Sequence, residues 1–406
     1  MHTLFFEPVS IAELCNLIRT LPNKYTEGPD GLPCKIMKSA LEQIVEPLRY
    51  LINLSYDQGI FPNKFKQTRV VPIQKKNDSF EINDFRPISI YSVLSTICEK
   101  ATHRQILNFL NSANLISDKQ HGYRDGKSTA TAVEYLVDLV KRKLANKEKT
   151  VILFLDLSKA FDCVAHELLL KKAENYGLRG KAQDWLRSYL KDREQYVEIR
   201  MEHGHVRSSS RRVECGVPQG SVLGPLLFTL YINDLPHFIS DKADIVMYAD
   251  DCALVVSDKD QAALEKKILD VVNLTRHWFD CNSLKVNMTK SSLMHVRSSH
   301  LTRNLWYVSL DKTLAKDIVT VSDIRFLGVH VDSYFSYNLH VDTLELKLRQ
   351  GSYLMKKLVN YCDLPTIRSV YFSYFQSKLV YCLSSWGFIS AGNITKIFRI
   401  QKKLYE

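Results

Sequence analysis

The sequence predicts an α/β protein, because short apolar runs of strand length alternate with longer stretches of helical spacing. The clearest strand is residues 151–155, a continuous apolar run typical of a strand buried on both faces. The first clear helix lies between Val9 and Leu21, where apolar residues recur at helical spacing and Ser10 is a suitable cap. A chain of 406 residues, 45% of them hydrophobic, is expected to fold into two or three subdomains.

The other predicted elements also alternate between strand and helix. Ser128 and Thr129 are both placed to cap a helix that ends in a basic segment, an arrangement that suits the helix dipole. Another helix is predicted from Asp162 to Tyr176, and Gly177 is a suitable residue to end it. The chain after residue 334 has a helical pattern, is basic and is rich in aromatic residues. Strands are predicted at residues 69–73, 245–248 and 252–256.

The chain carries a surplus of positive charge. It has 55 Lys and Arg residues against 44 Asp and Glu residues, which gives a formal net charge of +11. This surplus favours a partner with a dense negative backbone, because basic side chains release condensed counterions when they bind phosphates. A solvated basic surface without such a partner is the alternative.

Cysteine usage and hydrophobicity indicate a soluble, intracellular protein. The nine cysteines lack the close spacing of a zinc site, and their odd number argues against a complete disulfide framework. Several lie in apolar runs, so we expect them to be small buried residues in a reducing compartment. The chain start lacks the pattern of a secretory signal, and no apolar run approaches the roughly 20 residues that cross a membrane.

Three aspartates stand where predicted buried strands end. Asp156 follows the strand at residues 151–155, and Asp250 and Asp251 occupy a tight turn between two apolar strands. Burying a carboxylate is costly unless a cation compensates it, and carboxylates are the hard oxygen ligands that Mg²⁺ prefers. If the strand before Asp156 pairs beside the hairpin, the three carboxylates converge. Taken singly, Asp156 as a helix cap and the pair as an ordinary turn are the alternatives.

Three segments resemble the palm motifs of reverse transcriptases, in the same order and with similar separations. Residues 154–162 read FLDLSKAFD, residues 216–228 read GVPQGSVLGPLLF, and residues 248–251 read YADD. Residues 231–236, which read YINDLP, make the resemblance closest to non-LTR (LINE-type, jockey-like) retrotransposons. Together the motifs are a strong signal where each alone is weak. The resemblance implies a right-hand polymerase with fingers, palm and thumb.

The resemblance also implies a metal site. Asp156, Asp250 and Asp251 are the implied catalytic residues, and with Leu157 they are implied to bind two Mg²⁺ ions, or Mn²⁺ instead. Residues 287–290, which read NMTK, look like the fourth palm motif. In that motif Lys290 is implied to act as general acid toward pyrophosphate, or as a charge partner for phosphate.

Five further residues are implied to bind substrates. Arg86 lies in a segment similar to the fingers motif whose arginine binds the incoming triphosphate, a role that suits a guanidinium fork. Lys75 is expected to assist it, with a solvated turn lysine as the alternative. Phe161 is similar to the aromatic residue beneath the nucleotide sugar, with a core residue as the alternative. Gln219 is expected to contact the template or the nascent base pair, and Gly220 to let the backbone approach it.

Four other segments extend the resemblance. Residues 28–31 (GPDG) resemble an extra N-terminal motif of LINE-type enzymes, and residues 120–124 (QHGYR) resemble a template-contacting segment. Residues 326–329 (FLGV) resemble a primer-grip hairpin. The aromatic run at residues 371–386 is interpreted as the helical core of a thumb rather than as a base-stacking platform.

The resulting prediction is an RNA-directed DNA polymerase of a non-LTR retrotransposon. Its expected partners are an RNA template, a DNA primer and dNTPs, with other element-encoded proteins as additional candidates and without a membrane. Residues 1–55 are assigned to an N-terminal extension of the fingers, residues 56–335 to fingers and palm, and residues 336–406 to a helical thumb. Two rival hypotheses are an intron-maturase-type enzyme or RNA-templated RNA polymerase, and a decayed or domesticated copy that only binds nucleic acid.

Overall fold

The computed structural model describes residues 2–74, 81–202, 204–297 and 318–404. The chain forms two compact units that interleave along the sequence. The first unit comprises Met1–Asp118, Ser158–Leu235 and Trp278–Lys285, and the second unit comprises Lys119–Leu157, Pro236–His277 and Val286–Glu406. The predicted assignment of consecutive segments to fingers, palm and thumb stays a prediction.

Strands and helices alternate through most of the chain, which confirms the α/β class. The strands are β1 (Gln67–Gln74), β2 (Phe85–Tyr91), β3 (Lys149–Leu155), β4 (Arg193–Met201), β5 (Gly204–Arg207), β6 (Arg211–Val213), β7 (Asp244–Tyr248), β8 (Asp251–Asp258), β9 (Ser292–Val296), β10 (Val319–Val321), β11 (Asp323–Phe326) and β12 (Val329–Asp332). The α-helices are α1 (Ile11–Arg19), α2 (Cys34–Ser39), α3 (Leu41–Gln58), α4 (Val93–Ser112), α5 (Thr129–Ala145), α6 (His166–Asn175), α7 (Lys181–Leu190), α8 (Leu223–Ile232), α9 (Leu235–Ile239), α10 (Gln261–Cys281), α11 (Asn338–Leu358), α12 (Leu364–Val370), α13 (Ser377–Val380), α14 (Leu383–Trp386) and α15 (Ala391–Lys402).

The first unit contains a sheet in the order β2-β1-β4-β5, and β6 also pairs with β4. Strands β1 and β2 are antiparallel, whereas β1 and β4 are parallel. Its helical part is held by buried aromatic residues. Trp185 stacks on Tyr189, packs edge-on against Phe61 and donates a 2.8 Å hydrogen bond to Ser55. Because this indole N–H has a partner, the burial of Trp185 leaves no unsatisfied hydrogen-bond donor on its side chain.

The second unit is built on a sheet in the order β10-β9-β3-β8-β7, with a separate hairpin of β11 and β12. Strand β3 is central, and Ile152 and Leu153, which point to opposite faces, are both buried. Helix α5 covers one face, where Val133 and Leu136 join Ile152 in a single apolar cluster. The prediction of a strand buried on both faces is therefore confirmed, and it places residue 156 at the end of a rigid central strand.

Two predicted helix caps, Ser10 and Ser128, are confirmed, whereas Thr129 is the first residue of α5 and one predicted helix start is wrong. Ser10 and Ser128 accept hydrogen bonds from backbone N–H groups in the first turns of α1 and α5. The helix expected from Asp162 begins only at His166, after a 3₁₀ turn over residues 160–163. In this segment the carbonyls of Phe161 and Val164 accept hydrogen bonds from residues 217 and 216. Bonds to a distant loop thus replace the helical bonds that the local sequence predicts.

No disulfide bond joins any of the nine cysteines, all of which lie in the described residues. Cys98, Cys252 and Cys382 are buried, whereas Cys215 and Cys281 are exposed. The expectation that the cysteines are small buried residues therefore holds for only some of them. Among the helices of the described residues, none combines the length and the apolar character that crossing a bilayer requires. The expectation of a soluble, intracellular protein stays a prediction.

Candidate active site

The second unit brings the three predicted carboxylates to one end of its sheet. Asp156 directly follows β3, Asp250 lies in the turn between β7 and β8, and Asp251 begins β8. Strands β3 and β8 are antiparallel, and their register pairs Leu155 with Cys252. Extending this register by one residue places Asp156 opposite Asp251. The strand before Asp156 therefore lies beside the hairpin, as the sequence analysis required for the carboxylates to converge.

The carboxylates repel one another and lack compensating basic side chains. Burial, together with the smaller effects of the charges on Asp250 and Asp156, raises the pKa of Asp251 to about 6. Burial also raises the pKa of Asp250, with a further contribution from Asp156. Among the described residues of this unit, no Lys, Arg or His forms an ion pair with any of the three. Such a group is stabilised by a bound cation.

The side chains of the described residues would leave much of the coordination of a metal ion to other ligands. Within the described ranges, no three His, Cys, Asp or Glu side chains are gathered closely enough to enclose an ion by themselves. Open coordination suits Mg²⁺, which keeps several waters and takes substrate phosphates as ligands beside one or two carboxylates. The oxygen donors and the uncompensated negative charge of the trio therefore fit this ion chemically.

The backbone around Asp156 is fixed by the chain that precedes β9. The carbonyl of Asp156 accepts a 2.8 Å hydrogen bond from the Asn287 N–H, and its own N–H donates to the buried Ser291 hydroxyl at 3.3 Å. Leu157 forms an isolated antiparallel bridge with Val286. Because the flanking residues make the hydrogen bonds of this bridge, the Leu157 carbonyl points away from Val286. Leu157 can thus offer a metal only this backbone oxygen, since its side chain is apolar and buried.

The first unit carries Phe161 on the 3₁₀ turn at the end of the first palm-like motif. Its ring stacks on Phe228, with the ring centroids 4.5 Å apart and the planes 24° apart. Phe228 is fully buried, whereas Phe161 is only partly buried. The carbonyl of Phe161 also accepts a 2.8 Å hydrogen bond from the Val217 N–H. The ring is therefore held on one side by the core and remains partly accessible.

The loop at residues 216–221 packs on this turn. A Cβ on Gly216 would lie 2.9 Å from the Asp162 Cα, and Gly216 has a φ of +85°, so only glycine fits. The side-chain amide of Gln219 donates a 2.6 Å hydrogen bond to the Asp162 carboxylate. The backbone carbonyl of Gln219 accepts a 3.1 Å hydrogen bond from the Tyr91 hydroxyl. Gly220 also has a φ of +85°. Gly216 is explained by packing within the unit, and Gln219 is oriented by partners within the unit. The approach of the Gly220 backbone to a template or base pair stays a prediction.

Comparison with known proteins supplies the remaining observation. Residues 73–331, more than half of the chain, match the family described as reverse transcriptase (RNA-dependent DNA polymerase). The chain belongs to the reverse transcriptase family. The resemblance that the motifs indicated is thereby confirmed.

Several relatives of this reverse transcriptase chain come from non-LTR elements of Drosophila melanogaster. The chain is 27% identical to a protein named probable RNA-directed DNA polymerase from transposon BS, over 99% of this chain and 44% of the relative. It is 26% identical to the RNA-directed DNA polymerase from mobile element jockey, over 97% of this chain and 43% of the relative. The chain therefore spans less than half the length of these relatives.

A buried carboxylate that the sequence analysis missed supports the same loop of this reverse transcriptase. Glu99, in α4, accepts hydrogen bonds from the N–H groups of Val222 (2.9 Å) and Leu223 (3.3 Å), where α8 begins. Burial raises its pKa, whereas the charge of Arg193 and these hydrogen bonds lower it. In the sequence, Glu99 is a single acidic residue that directly follows the apolar residues Ile97 and Cys98, and this pattern could have identified it as buried.

The other predicted substrate residues of the reverse transcriptase are less constrained. Arg86 is exposed on β2, where its register partner is Ile73. Lys290 is exposed and immediately precedes Ser291, the residue that bonds Asp156. Lys75 lies outside the described residues. The roles of these three residues stay predictions.

Proposed function

We propose that this chain is an RNA-directed DNA polymerase of a non-LTR retrotransposon that joins dNTPs to a primer 3′-hydroxyl on an RNA template. The observation that carries the proposal is the convergence of Asp156, Asp250 and Asp251 at one sheet end, in a chain of the reverse transcriptase family. The names of the jockey and BS relatives support the same activity.

Asp156, Asp250, Asp251 and the Leu157 carbonyl would hold the divalent ions, Mg²⁺ or Mn²⁺. When bound, the two ions lower the pKa of the primer hydroxyl and stabilise charge on the departing pyrophosphate. The strands fix the carboxylates before substrate arrives, so little reorganisation is needed during the reaction. Lys290 is exposed and immediately precedes Ser291, whose hydroxyl bonds the Asp156 N–H. Lys290 would supply a proton or a positive charge to the pyrophosphate.

The first unit would bind the substrates. The exposed Arg86 guanidinium would bind the triphosphate, with Lys75 assisting, because a planar fork matches phosphate oxygens. Phe161 would lie beneath the sugar, and Gln219 and Gly220 would face the template or the nascent pair. The fixed orientation of Gln219, through Asp162 and Tyr91, supports this assignment.

Within the right-hand polymerase architecture, we assign residues 1–55 to the extension of the fingers and residues 56–335 to fingers and palm. Residues 336–406 form the thumb in this assignment. The helices α11 to α15 occupy nearly all of that last segment, which supports a helical thumb. In the aromatic run, Phe375 and Trp386 are buried, as the core interpretation expects, whereas Phe372 is 52% exposed.

Primer extension on a primed RNA template tests the proposal. The wild-type chain is expected to extend the primer with dNTPs and Mg²⁺, and Asp250→Asn is expected to lose this activity by about a thousandfold or more. Asp244→Asn is the matched control. Asp244 begins β7 in the same sheet but is paired with Lys143 at 3.0 Å, so its loss should leave extension nearly unchanged.

Three outcomes would contradict the proposal, with folding checked by circular dichroism. Near-wild-type extension by Asp250→Asn would remove the carboxylates from the mechanism. Preferential use of rNTPs would favour an RNA-copying RNA polymerase. Binding of nucleic acid without extension by the wild-type chain would favour a decayed or domesticated copy.

A further inference from the structure

A short segment of the second unit pairs with the open edge of β7, next to the turn that carries Asp250. The Met247 N–H donates to the Lys119 carbonyl at 2.9 Å, and the His121 N–H donates to the Met247 carbonyl at 2.8 Å. Gln120 thus forms a parallel bridge with Met247. The segment resembles a template-contacting motif in sequence, but its backbone is committed to the sheet edge.

The side chain of Gln120 reaches the catalytic turn itself. It is fully buried, and its Oε1 accepts hydrogen bonds from the Gly122 N–H at 2.7 Å and from the Ala249 N–H at 3.1 Å. Two N–H donors at one atom require an acceptor oxygen there, which fixes the orientation of the amide. Its Nε2 has no hydrogen-bond partner among the described residues. The oxygen is therefore the part of this side chain that the surrounding structure uses.

Ala249 has an unusual backbone conformation that this contact supports. Its φ is +55°, in the left-handed region that L-residues other than Asn and Asp rarely adopt. Ala249 and Asp250 are the two residues between the paired Tyr248 and Asp251. The direction of the Asp250 and Asp251 side chains therefore depends on the conformation at Ala249. A strained residue of this kind persists only where its neighbours fix it.

Gly122 makes the contact sterically possible. A Cβ at this position would lie 2.5 Å from the Ala249 nitrogen and 3.2 Å from the Tyr248 carbonyl carbon. Both contacts are with backbone, so a methyl group would displace the turn rather than a flexible side chain. Gly122 is buried and its φ is not in the left-handed region, so close approach alone explains the glycine.

We propose that Gln120 and Gly122 are positioning residues, which hold Ala249 in its left-handed conformation and so set the metal-binding geometry of Asp250 and Asp251. The identity of the metal site rests on the proposed function. A neutral acceptor suits this place, because a glutamate would add a fourth carboxylate near three that already repel one another. Neither residue is assigned a contact with metal or substrate.

The test compares Gln120→Met with Gln105→Met in the full chain without nucleic acid. Methionine keeps the length of the side chain and removes the acceptor. Gln105 is the matched control, since its amide also bonds backbone, at the N–H and carbonyl of Glu7 in the first unit. Titration with Mn²⁺, followed by electron paramagnetic resonance, should show a Kd for Gln120→Met about tenfold or more above wild type. Gln105→Met should match wild type.

Hydrogen exchange provides a second measurement that does not depend on metal. The peptide containing the Ala249 N–H should exchange faster in Gln120→Met than in wild type, and at the wild-type rate in Gln105→Met. If Gln120→Met does not fold, Gly122→Ala replaces it, because its Cβ would lie 2.5 Å from the Ala249 nitrogen and should speed exchange at Ala249. Exchange at the wild-type rate in a folded Gly122→Ala protein would overturn the proposal.

Gly122→Ala tests the steric part, with Gly392→Ala as its control, because a Cβ at Gly392 meets nothing within 4 Å. Gly122→Ala should weaken Mn²⁺ binding, whereas Gly392→Ala should not. Unchanged Mn²⁺ affinity in folded Gln120→Met or Gly122→Ala, with weakened template binding instead, would overturn the proposal in favour of a template contact. The wild-type chain could fail to extend a primer while both variants bind Mn²⁺ more weakly than the wild type does. That result would support the inference and contradict only the proposed function.

Discussion

Asp250 and Asp251 carry raised pKa values because burial and their neighbouring carboxylates disfavour the ionised forms. At these residues the proposed function and the stability of the metal-free fold are opposed, as is common where a site binds a charged ligand. The metal-free protein retains the repulsion, and a bound divalent cation removes it.

Asp251→Asn is therefore expected to raise the unfolding temperature of the metal-free protein at pH 7 while it abolishes primer extension. The folded state of the wild type holds a proton on Asp251 between pH 3.8 and about 6, where the unfolded chain has released it. The free energy of unfolding contributed by this group thus falls as the pH rises through that window. Thermal unfolding at pH 4 to 7 measures the difference, which should grow with pH.

Asp244→Asn is the control in the same experiment. It removes the ion pair with Lys143, so the unfolding temperature should stay unchanged or fall slightly. Added Mg²⁺ should raise the unfolding temperature of the wild type more than that of Asp251→Asn. Equal stabilisation of both proteins by Mg²⁺ would contradict the assignment of Asp251 as a ligand.

Phe161→Val is expected to admit ribonucleotides. If the partly exposed ring lies beneath the sugar, it occupies the space that a 2′-hydroxyl needs, and a smaller side chain removes this steric exclusion. The ratio of dNTP to rNTP efficiency should fall by about tenfold or more. Some general loss of rate is also expected, because the stack on Phe228 is lost and the sugar is positioned less firmly. The ratio of kcat/KM values discounts that general loss.

Phe161→Tyr is the matched control because it keeps the ring, so the wild-type preference for dNTPs should persist. An unchanged ratio in a Phe161→Val protein that still polymerises would show that Phe161 is a core residue. Sugar discrimination would then lie elsewhere in the site.

At the scale of elements, a break between α13 and α14 supports the hairpin of β11 and β12. Cys382 has a φ of +52°, and the carbonyl of Tyr381 accepts a 2.7 Å hydrogen bond from the Trp386 indole N–H. The Tyr381 hydroxyl then donates a 2.5 Å hydrogen bond to the carbonyl of Leu327, in the turn of the hairpin. Leu327 and Gly328 both have positive φ, as a tight two-residue hairpin turn requires.

Tyr381→Phe should destabilise this turn by about 1 kcal/mol, the usual net contribution of one hydrogen bond. Because the turn resembles a primer grip, KM for primer–template should rise by more than kcat falls. Steady-state extension at varied primer–template concentration, together with thermal unfolding, measures both effects.

Tyr374→Phe is the control, since Tyr374 lies in the same C-terminal helical segment as Tyr381 and is 37% exposed. It should leave both constants near wild type. A fall in kcat alone for Tyr381→Phe, with KM unchanged, would contradict a role in holding the primer.

For the whole molecule, the net charge of +11 leads to a prediction about affinity. Binding of primer–template is expected to be chiefly electrostatic, so log affinity should fall linearly with log salt concentration. The slope should be about one unit per phosphate contacted. Fluorescence anisotropy across a series of monovalent salt concentrations measures it.

The Mg²⁺ concentration must stay constant in that series, because divalent ions compete for the phosphates. Asp244→Asn, which makes the chain one unit more positive, should keep the slope of the wild type. A flat plot would assign the basic surplus to another partner.

The sequence by itself determined the class of the fold and the family, and it supplied the three candidate carboxylates. Each of these depends on local patterns: the apolar run before Asp156, the caps at Ser10 and Ser128, and three motifs in fixed order. Local propensity and hydrophobic period act over a few residues, so a single chain reveals them. The family match over residues 73–331 tested the motif argument and confirmed it.

Only the tertiary structure decided how distant residues meet. The register of β3 on β8, which places Asp156 opposite Asp251, joins residues far apart in the chain. Bonds from the loop at residues 216–217 delay the start of the helix expected at Asp162 until His166, and Gly122 packs closely against the backbone of Ala249. Such contacts depend on packing and on hydrogen bonds between separate elements, and these override local propensity where a buried polar group needs a partner.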